Sequence, residues 1–306
     1  MASKIVDAVV VGAGVAGITA GIYLKRSNLA AVVLDKDAPG GKLNNIHRID
    51  NYPGTPEIAG PDLAMKLIEQ AEQLGVGLDY GNVVSVSQDG DRFLVHTDNG
   101  DYSAWAVIVA TGVKTVSSGV EGEKALRGKG VSYCATCDGN FFKGKPVVVV
   151  GYKDHAAEDA IYLSSLASKV YFVHPKPLEV LPSHLDILKA KDNVEIREGR
   201  LLKIEGESKV TGARIGTEEG EIDIAADAVF PLFGEVSSSE FLAPLGVDAN
   251  KGFIKADNEM KTNVPGLYVA GDIVDKKLRQ IVNAAGEGAV AATSAIGYVH
   301  GKKRNS

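Results

Sequence analysis

Cysteine is nearly absent from this chain: two residues in 306, Cys134 and Cys137. Two cysteines so close together cannot form a disulfide framework that staples distant segments. A structural zinc site needs four ligands, so one Cys-x-x-Cys needs a second pair from cysteine or histidine. No second pair exists, and His47, His96, His155, His174, His184 and His300 lack metal-ligand spacing, so no metal is expected. Long apolar runs are missing as well, and nothing approaches the ~18 residues that read as a membrane span. Positive charge is not in excess: 33 Lys and Arg against 39 Asp and Glu give a net charge of −6. That balance argues against a nucleic-acid binder built on phosphate contacts. Aromatics make up only 6% and do not alternate with basic residues, so base stacking is not expected either. The start, Met1-Ala2-Ser3-Lys4-Ile5-Val6-Asp7, enters a short strand without the apolar core of a signal peptide. A cytoplasmic protein of about two domains is the expectation.

Glycine is plentiful, at 35 residues. The apolar run Ile5 to Val11, broken only at Asp7, suits a buried parallel strand. It leads into Gly12-Ala13-Gly14-Val15-Ala16-Gly17, then a helical stretch to Arg26, then the strand Ala30 to Leu34 closed by Asp35. Strand, Gly-x-G-x-x-Gly, helix, strand and acid follow one another at Rossmann spacing. The glycines serve a tight turn, close approach of a pyrophosphate and helix-on-strand packing, while Asp35 can accept from a ribose. The helix N-terminus offers free N–H groups to the phosphates. Dinucleotide binding is therefore expected. Further on, Ala106 to Gly112 and Gly266 to Asp272 read as strands ending in Thr-Gly and Gly-Asp. A helix from about Gln280 to Tyr298 carries a face of small residues, Ala284, Ala285, Gly288, Ala291 and Ala292.

Cys134-Ala135-Thr136-Cys137-Asp138-Gly139 is polar and glycine-bearing, which suits a reactive turn or helix start better than a pair of buried thiols. Beside a dinucleotide site the spacing reads as a redox dithiol. Asp138 reads either as a helix cap or as a proton carrier for that pair.

Taken together, Gly12 to Gly17, Gly40-Gly41, Asn51 to Gly54, Ala110-Thr111-Gly112, the Cys134 hexapeptide and Gly271-Asp272 with Arg279-Gln280 resemble the low-molecular-weight flavin thioredoxin reductases. The resemblance runs over essentially the whole chain. It implies an α/β protein of two Rossmann-like three-layer domains, the second inserted into the first. The FAD domain would comprise 1–115 and 246–306, and the inserted NAD(P)H-domain-like module 116–245. FAD would lie along Gly12, Gly14, Val15, Ala16, Gly17, Asp35 and Lys36, then Gly41, Lys42, Leu43 and Asn51. Ala110, Thr111, Gly112, Gly271, Asp272, Arg279, Gln280 and Ile281 would complete its site. Cys134, Cys137 and Asp138 would be catalytic, with Cys137 nearer the flavin and Cys134 attacking the disulfide of a thioredoxin-like protein. A homodimer is implied, as is domain rotation about linkers near 113–118 and 243–248.

The inserted module departs from the family where NADPH should bind. Its turn reads Gly151-Tyr152-Lys153-Asp154-His155-Ala156, with Lys153 at the pyrophosphate-facing glycine. After the next strand the family's His-Arg-Arg run and further Arg become His174-Pro175-Lys176-Pro177-Leu178-Glu179-Val180, which loses the 2′-phosphate grip. Phe233-Gly234-Glu235-Val236-Ser237-Ser238 also departs from the family pattern. NADPH is therefore doubtful, and the chain resembles the ferredoxin-linked subgroup. An acidic ferredoxin needs a basic patch, for which Lys42 with Arg48, Lys276-Lys277 with Arg279, and the tail Lys302-Lys303-Arg304 are candidates. The alternatives are an NADPH-dependent reductase with a degenerate site, a flavin disulfide oxidoreductase holding a second FAD or nucleotide, and a non-catalytic redox sensor.

Overall fold

The computed structural model describes residues 3–237 and 239–305; Ser238, the last residue of the stretch from Phe233, lies outside the described residues. The helices used below are α1 (Val15–Arg26), α2 (Gly60–Gln73), α3 (Ala135–Asp138), α4 (Asp154–Ser164), α5 (Pro182–Lys189) and α6 (Ile281–Arg304). None of the described helices is long and apolar enough to cross a membrane. The chain divides into two compact units, one taking residues up to Lys114 and from Ser237 onward, the other Thr115–Val236. The sequence places the second crossing at 245/246. The structure moves it to Val236/Ser237, because Leu242 is buried in the first unit's core with Phe241 and Leu245 packed against it.

In the first unit five parallel strands lie in the order Leu267–Val269, Ala106–Val109, Ala8–Val11, Ala31–Asp35, Gly77–Tyr80. The central strand explains its own sequence. Ala8 and Val10 enter a core shared with α1 and α6, while Val9 and Val11 enter a second core with Val86, Phe93 and Val95. Both faces are covered, so an unbroken apolar run is required. The covering layer on the second face is a sheet of Lys4–Ile5, Tyr102–Ala104, Arg92–Thr97 and Val83–Asp89. Asp7 divides what reads as one strand: Lys4–Ile5 joins this sheet and Ala8–Val11 the parallel one. Its buried carboxylate accepts the Ala30 N–H at 2.8 Å and pairs with Lys303 at 2.7 Å.

The second unit repeats the plan. Val194–Glu198, Lys169–His174, Pro146–Val150 and Ala228–Pro231 form a parallel sheet. Val147 and Val149 pack toward α4 and α5, and Val148 and Val150 toward the antiparallel strands Arg200–Glu205, Gly212–Thr217 and Gly220–Ala225. Both units are Rossmann-like three-layer α/β structures, the fold class expected from the sequence.

The small-residue face of α6 exists to meet α1. A Cβ added at Gly288 would lie 2.2 Å from the Ala16 carbonyl oxygen, so the two backbones touch there. Gly288→Ala should overpack this contact and cost about 1–3 kcal/mol of stability. A denaturant midpoint equal to that of the parent chain would refute the reading.

Candidate active site

The dithiol turn is built on the edge of the second unit's sheet. Val131 bridges to Val229 and the Ser132 N–H donates to the Val229 carbonyl at 3.1 Å, so the chain arrives extended. Cys134 keeps that conformation (φ −143°) and caps α3: its Sγ accepts the Cys137 N–H at 3.2 Å. Thr136 Oγ1 lies 3.4 Å from the same sulfur. Cys134 and Cys137 are disulfide-bonded, with Cα atoms 5.3 Å apart, and both are partly exposed. Asp138 follows directly, partly buried, its N–H donating to the Cys134 carbonyl at 3.1 Å. Asp138 stands at the N-cap of the next short helical turn, Gly139–Phe142, but its side chain makes no capping bond there.

α3 rests on α4. Ala135 is buried among Ala156, Ala160 and Leu163, and a Cβ at Gly139 would come within 3.0 Å of Leu163. Asp159 on α4 accepts the Ala135 N–H, yet burial, aided by Glu158, pushes its carboxyl up to about 6.

The first unit gathers the predicted cofactor residues at the carboxyl ends of its strands. Gly12 (φ +105°) lies against Ala110, whose carbonyl oxygen would be 2.4 Å from an added Cβ. Gly14 is different: an added Cβ there meets nothing within 4 Å. Open space above a helix N-terminus is what a pyrophosphate requires. Gly41 packs on Gly14, and Gly271 (φ +83°) on Ala16. Asp35 accepts the N–H groups of Ala13 at 2.7 Å and Asp37 at 3.0 Å. It lines a cleft of about 480 Å³ with Lys36, Leu78, Asp79 and Tyr80. The last three are missed by the sequence reading. Their only signal is that the short strand Gly77–Tyr80 pairs beside Asp35.

At the other end of this site Lys42 Nζ reaches Asp272 at 3.1 Å, and Arg279 Nε donates to the Asp272 carbonyl at 3.0 Å. Asn51 donates to Gln280 Oε1 at 3.1 Å. Val15, Leu43 and Ile281 send their side chains into a satellite core with Ile49 and Leu63, leaving their main chains for any ligand. Thr111 and Gly112 follow Ala110 directly at the same strand end. Glu287, also unanticipated, accepts the Gly271 N–H at 2.8 Å and pairs with Lys276, both side chains largely buried. It fixes the Gly271–Asp272 turn from α6.

The second unit's equivalent turn carries Lys153 where the first unit has Gly14. Lys153 stands at the N-cap of α4 and Asp154 in its first turn. The chain after Lys169–His174 folds back over this turn, with Glu179 N–H donating to the Tyr152 carbonyl at 2.7 Å. Asp154 accepts the Leu181 N–H at 2.7 Å and contacts His184 Nδ1 at 3.1 Å. Those bonds, Leu181's first, hold its carboxyl below the usual range. Lys176, the remaining cation of the 2′-phosphate loop, is paired with Glu198 at 2.6 Å and Glu218 at 3.2 Å.

A family model described as pyridine nucleotide-disulphide oxidoreductase matches residues 6–288. A curated thioredoxin reductase of Bacillus subtilis is 40% identical, over 97% of this chain and 95% of its own. The chain belongs to the thioredoxin reductase family of these oxidoreductases. Among solved structures, thioredoxin reductase from Streptococcus pyogenes is 38% identical with a TM-score of 0.94, covering 98% of this chain and 100% of that one. A ferredoxin-flavin thioredoxin reductase from Clostridium acetobutylicum is 34% identical with a TM-score of 0.56, covering 99% and 100%. Family membership makes the chain a flavin disulfide oxidoreductase with FAD as its cofactor. The open space at Gly14, the Asp35 cleft and the Gly271 turn fit that group.

Asp159 gives this site a pH signature. Its carboxyl is raised in the folded state above the ordinary 3.8, so the fold favours the neutral form. The ionised form costs stability above about pH 6, and that cost vanishes as pH falls below about 4. Asp159→Asn should therefore stabilise the protein by about 1–3 kcal/mol at pH 7 and have no effect near pH 4. A thermal-melt difference that does not change with pH would contradict this assignment.

Proposed function

We propose that this flavoenzyme takes its electrons from a reduced ferredoxin and delivers them through Cys134–Cys137 to the disulfide of a thioredoxin-like protein. The observation that carries the donor is Asp154. A pyridine dinucleotide bound at the second unit's turn would set its pyrophosphate at the start of α4. Asp154 already puts a carboxylate in that first turn, bound by Leu181 and His184. Two anions at one helix N-terminus repel, and the dipole that favours one cannot serve both. Lys176 is also committed to two glutamates. The likeness to the ferredoxin-flavin structure supports the same reading.

On the first unit, the main chain at Gly12, Gly14 and Gly41, with Asp35, Asp272 and Arg279, would hold the cofactor. When bound, FAD supplies the electron pair that opens the Cys134–Cys137 bond. In the reduced chain the Cys134 thiolate then attacks one sulfur of the partner disulfide, releasing the other as thiolate. Cys137 next attacks the Cys134 sulfur, releasing the partner as dithiol and restoring the bond within α3. The Cys137 N–H and Thr136 hydroxyl stabilise the Cys134 thiolate, and Asp138, next in sequence to Cys137, would take the proton that Cys137 gives up.

The basic patch for a ferredoxin is smaller than the sequence suggests. Lys42, Arg48, Lys276, Lys302 and Lys303 pair with Asp272, Glu57, Glu287, Asp91 and Asp7 respectively. A docking surface must draw on cations outside these pairs. A second reading keeps NADPH as donor, favoured by the family description, which names a pyridine nucleotide.

One anaerobic titration separates the two. The yellow protein should keep its flavin absorbance on NADPH or NADH and lose it on a reduced ferredoxin. Stoichiometric bleaching by NADPH would sink the ferredoxin reading. Cys137→Ser should stay yellow while turnover on a thioredoxin-like disulfide falls to background.

A further inference from the structure

Glu123 is only 2% exposed, and no part of the cycle above uses it. Its carboxylate gathers donors from two places. Ser117 Oγ (2.9 Å), Ser118 Oγ (2.6 Å), Ser118 N–H (3.3 Å) and Gly119 N–H (2.9 Å) come from the segment by which the chain enters the second unit. The Tyr133 hydroxyl (2.8 Å) comes from the residue that leads into Cys134. Burial alone would push the carboxyl up, but the bonds from Ser118, Tyr133, Ser117 and Gly119 outweigh it and hold the group below its ordinary value. Burial, then Glu123 itself, pushes the Tyr133 hydroxyl up, so it remains a donor. An ionised acceptor with neutral donors is the strong form of such a cluster.

We infer that Glu123 is a positioning residue for the dithiol, a buried carboxylate that ties the entering segment Ser117–Gly119 to Tyr133 and so to Cys134. Cys134 can cap α3 only while its backbone stays extended, and Tyr133 sets that approach from one side. The other side is the main-chain pairing of Val131 and Ser132 with Val229 and the Cys134 N–H bond to Ser132 Oγ at 3.2 Å. In the reduced chain, loss of the cap geometry takes the Cys137 N–H away from the Cys134 thiolate and raises its pKa. The same carboxylate orders the amides of 118 and 119, so loosening at one end is felt at the other.

The proposal rests on the reading of Cys134 as the exchanging sulfur, but alkylation measures its thiolate directly. A parent chain that alkylates normally yet fails to turn over on a thioredoxin-like disulfide would strike that reading alone. Tyr133→Phe removes a single oxygen and leaves Asp138, Asp159, Arg127 and Glu123, the charged groups around the turn, in place. It is made in the FAD-loaded Cys137→Ser protein, so that only Cys134 reacts with iodoacetamide. The alkylation midpoint should rise and the rate at pH 7 fall roughly two- to five-fold. Hydrogen exchange in a peptide spanning 115–122 should quicken in the same variant. Glu123→Gln also removes a charge, so it is read by exchange alone, with the same direction expected. An unmoved alkylation midpoint, or unchanged exchange at 115–122 in Tyr133→Phe, overturns the proposal.

Discussion

Gly17 faces the Gly12 carbonyl so closely that an added Cβ would stand 1.8 Å from the oxygen, and Gly12 is pressed in turn against Ala110. Only bare backbone fits where this strand gives way to α1. The contact brings the helix start down onto the end of a sheet buried on both faces, and aims its free N–H groups at the open space over Gly14. The cofactor residues from distant parts of the chain converge on that point. Gly41 reaches it across Gly14, and Gly271 across Ala16. The second unit keeps the packing half of the device. A Cβ at Gly151 would clash with Ala156 and the Leu232 carbonyl, but Lys153 rather than glycine stands at the N-cap of α4, with Asp154 in its first turn. The same turn therefore recurs in both units, with bare backbone at Gly14 in one and the Lys153 side chain at the corresponding place in the other.

Buried or partly buried carboxylates recur as anchors of irregular backbone. Asp7 holds Ala30, Glu287 holds the Gly271 turn, Asp154 holds Leu181, and Glu123 holds Ser118 and Gly119. Each satisfies N–H groups that no strand or helix ladder reaches, where an unpaired buried donor is costly. Two of them, Asp7 and Glu287, also engage cations that a surface reading assigns to partners, Lys303 and Lys276. Acidic residues here build the inside of the protein as well as its net charge, and the candidate basic clusters shrink accordingly.

The dithiol turn combines a firm base with a reactive edge. Ala135 and Gly139 seat α3 on α4, while the sulfurs stay partly exposed and Cys134 accepts the N–H that its own helix leaves unsatisfied. A sulfur in that place is pre-arranged to carry negative charge when the bond to Cys137 opens.

Much of this was legible in the chain itself. Buried parallel strands require continuous valine runs, tight turns require glycine, and a lone Cys-x-x-Cys has few other uses, so fold class, dinucleotide turn and dithiol follow from local rules. The break at Asp7, the crossing at Val236/Ser237 and the cleft wall of Leu78 and Tyr80 carry no local signal. Nor do the pairing of Glu287 with Lys276 or the cluster around Glu123. Each depends on side chains that meet only when turns and layers close, with no periodic pattern to announce them. Sequence by itself determined which chemistry the chain can hold, because periodicity and glycine geometry act over a few residues. The tertiary structure alone decided which charges remain available and which are spent on anchoring backbone, because long-range pairing and burial are set only when the layers close.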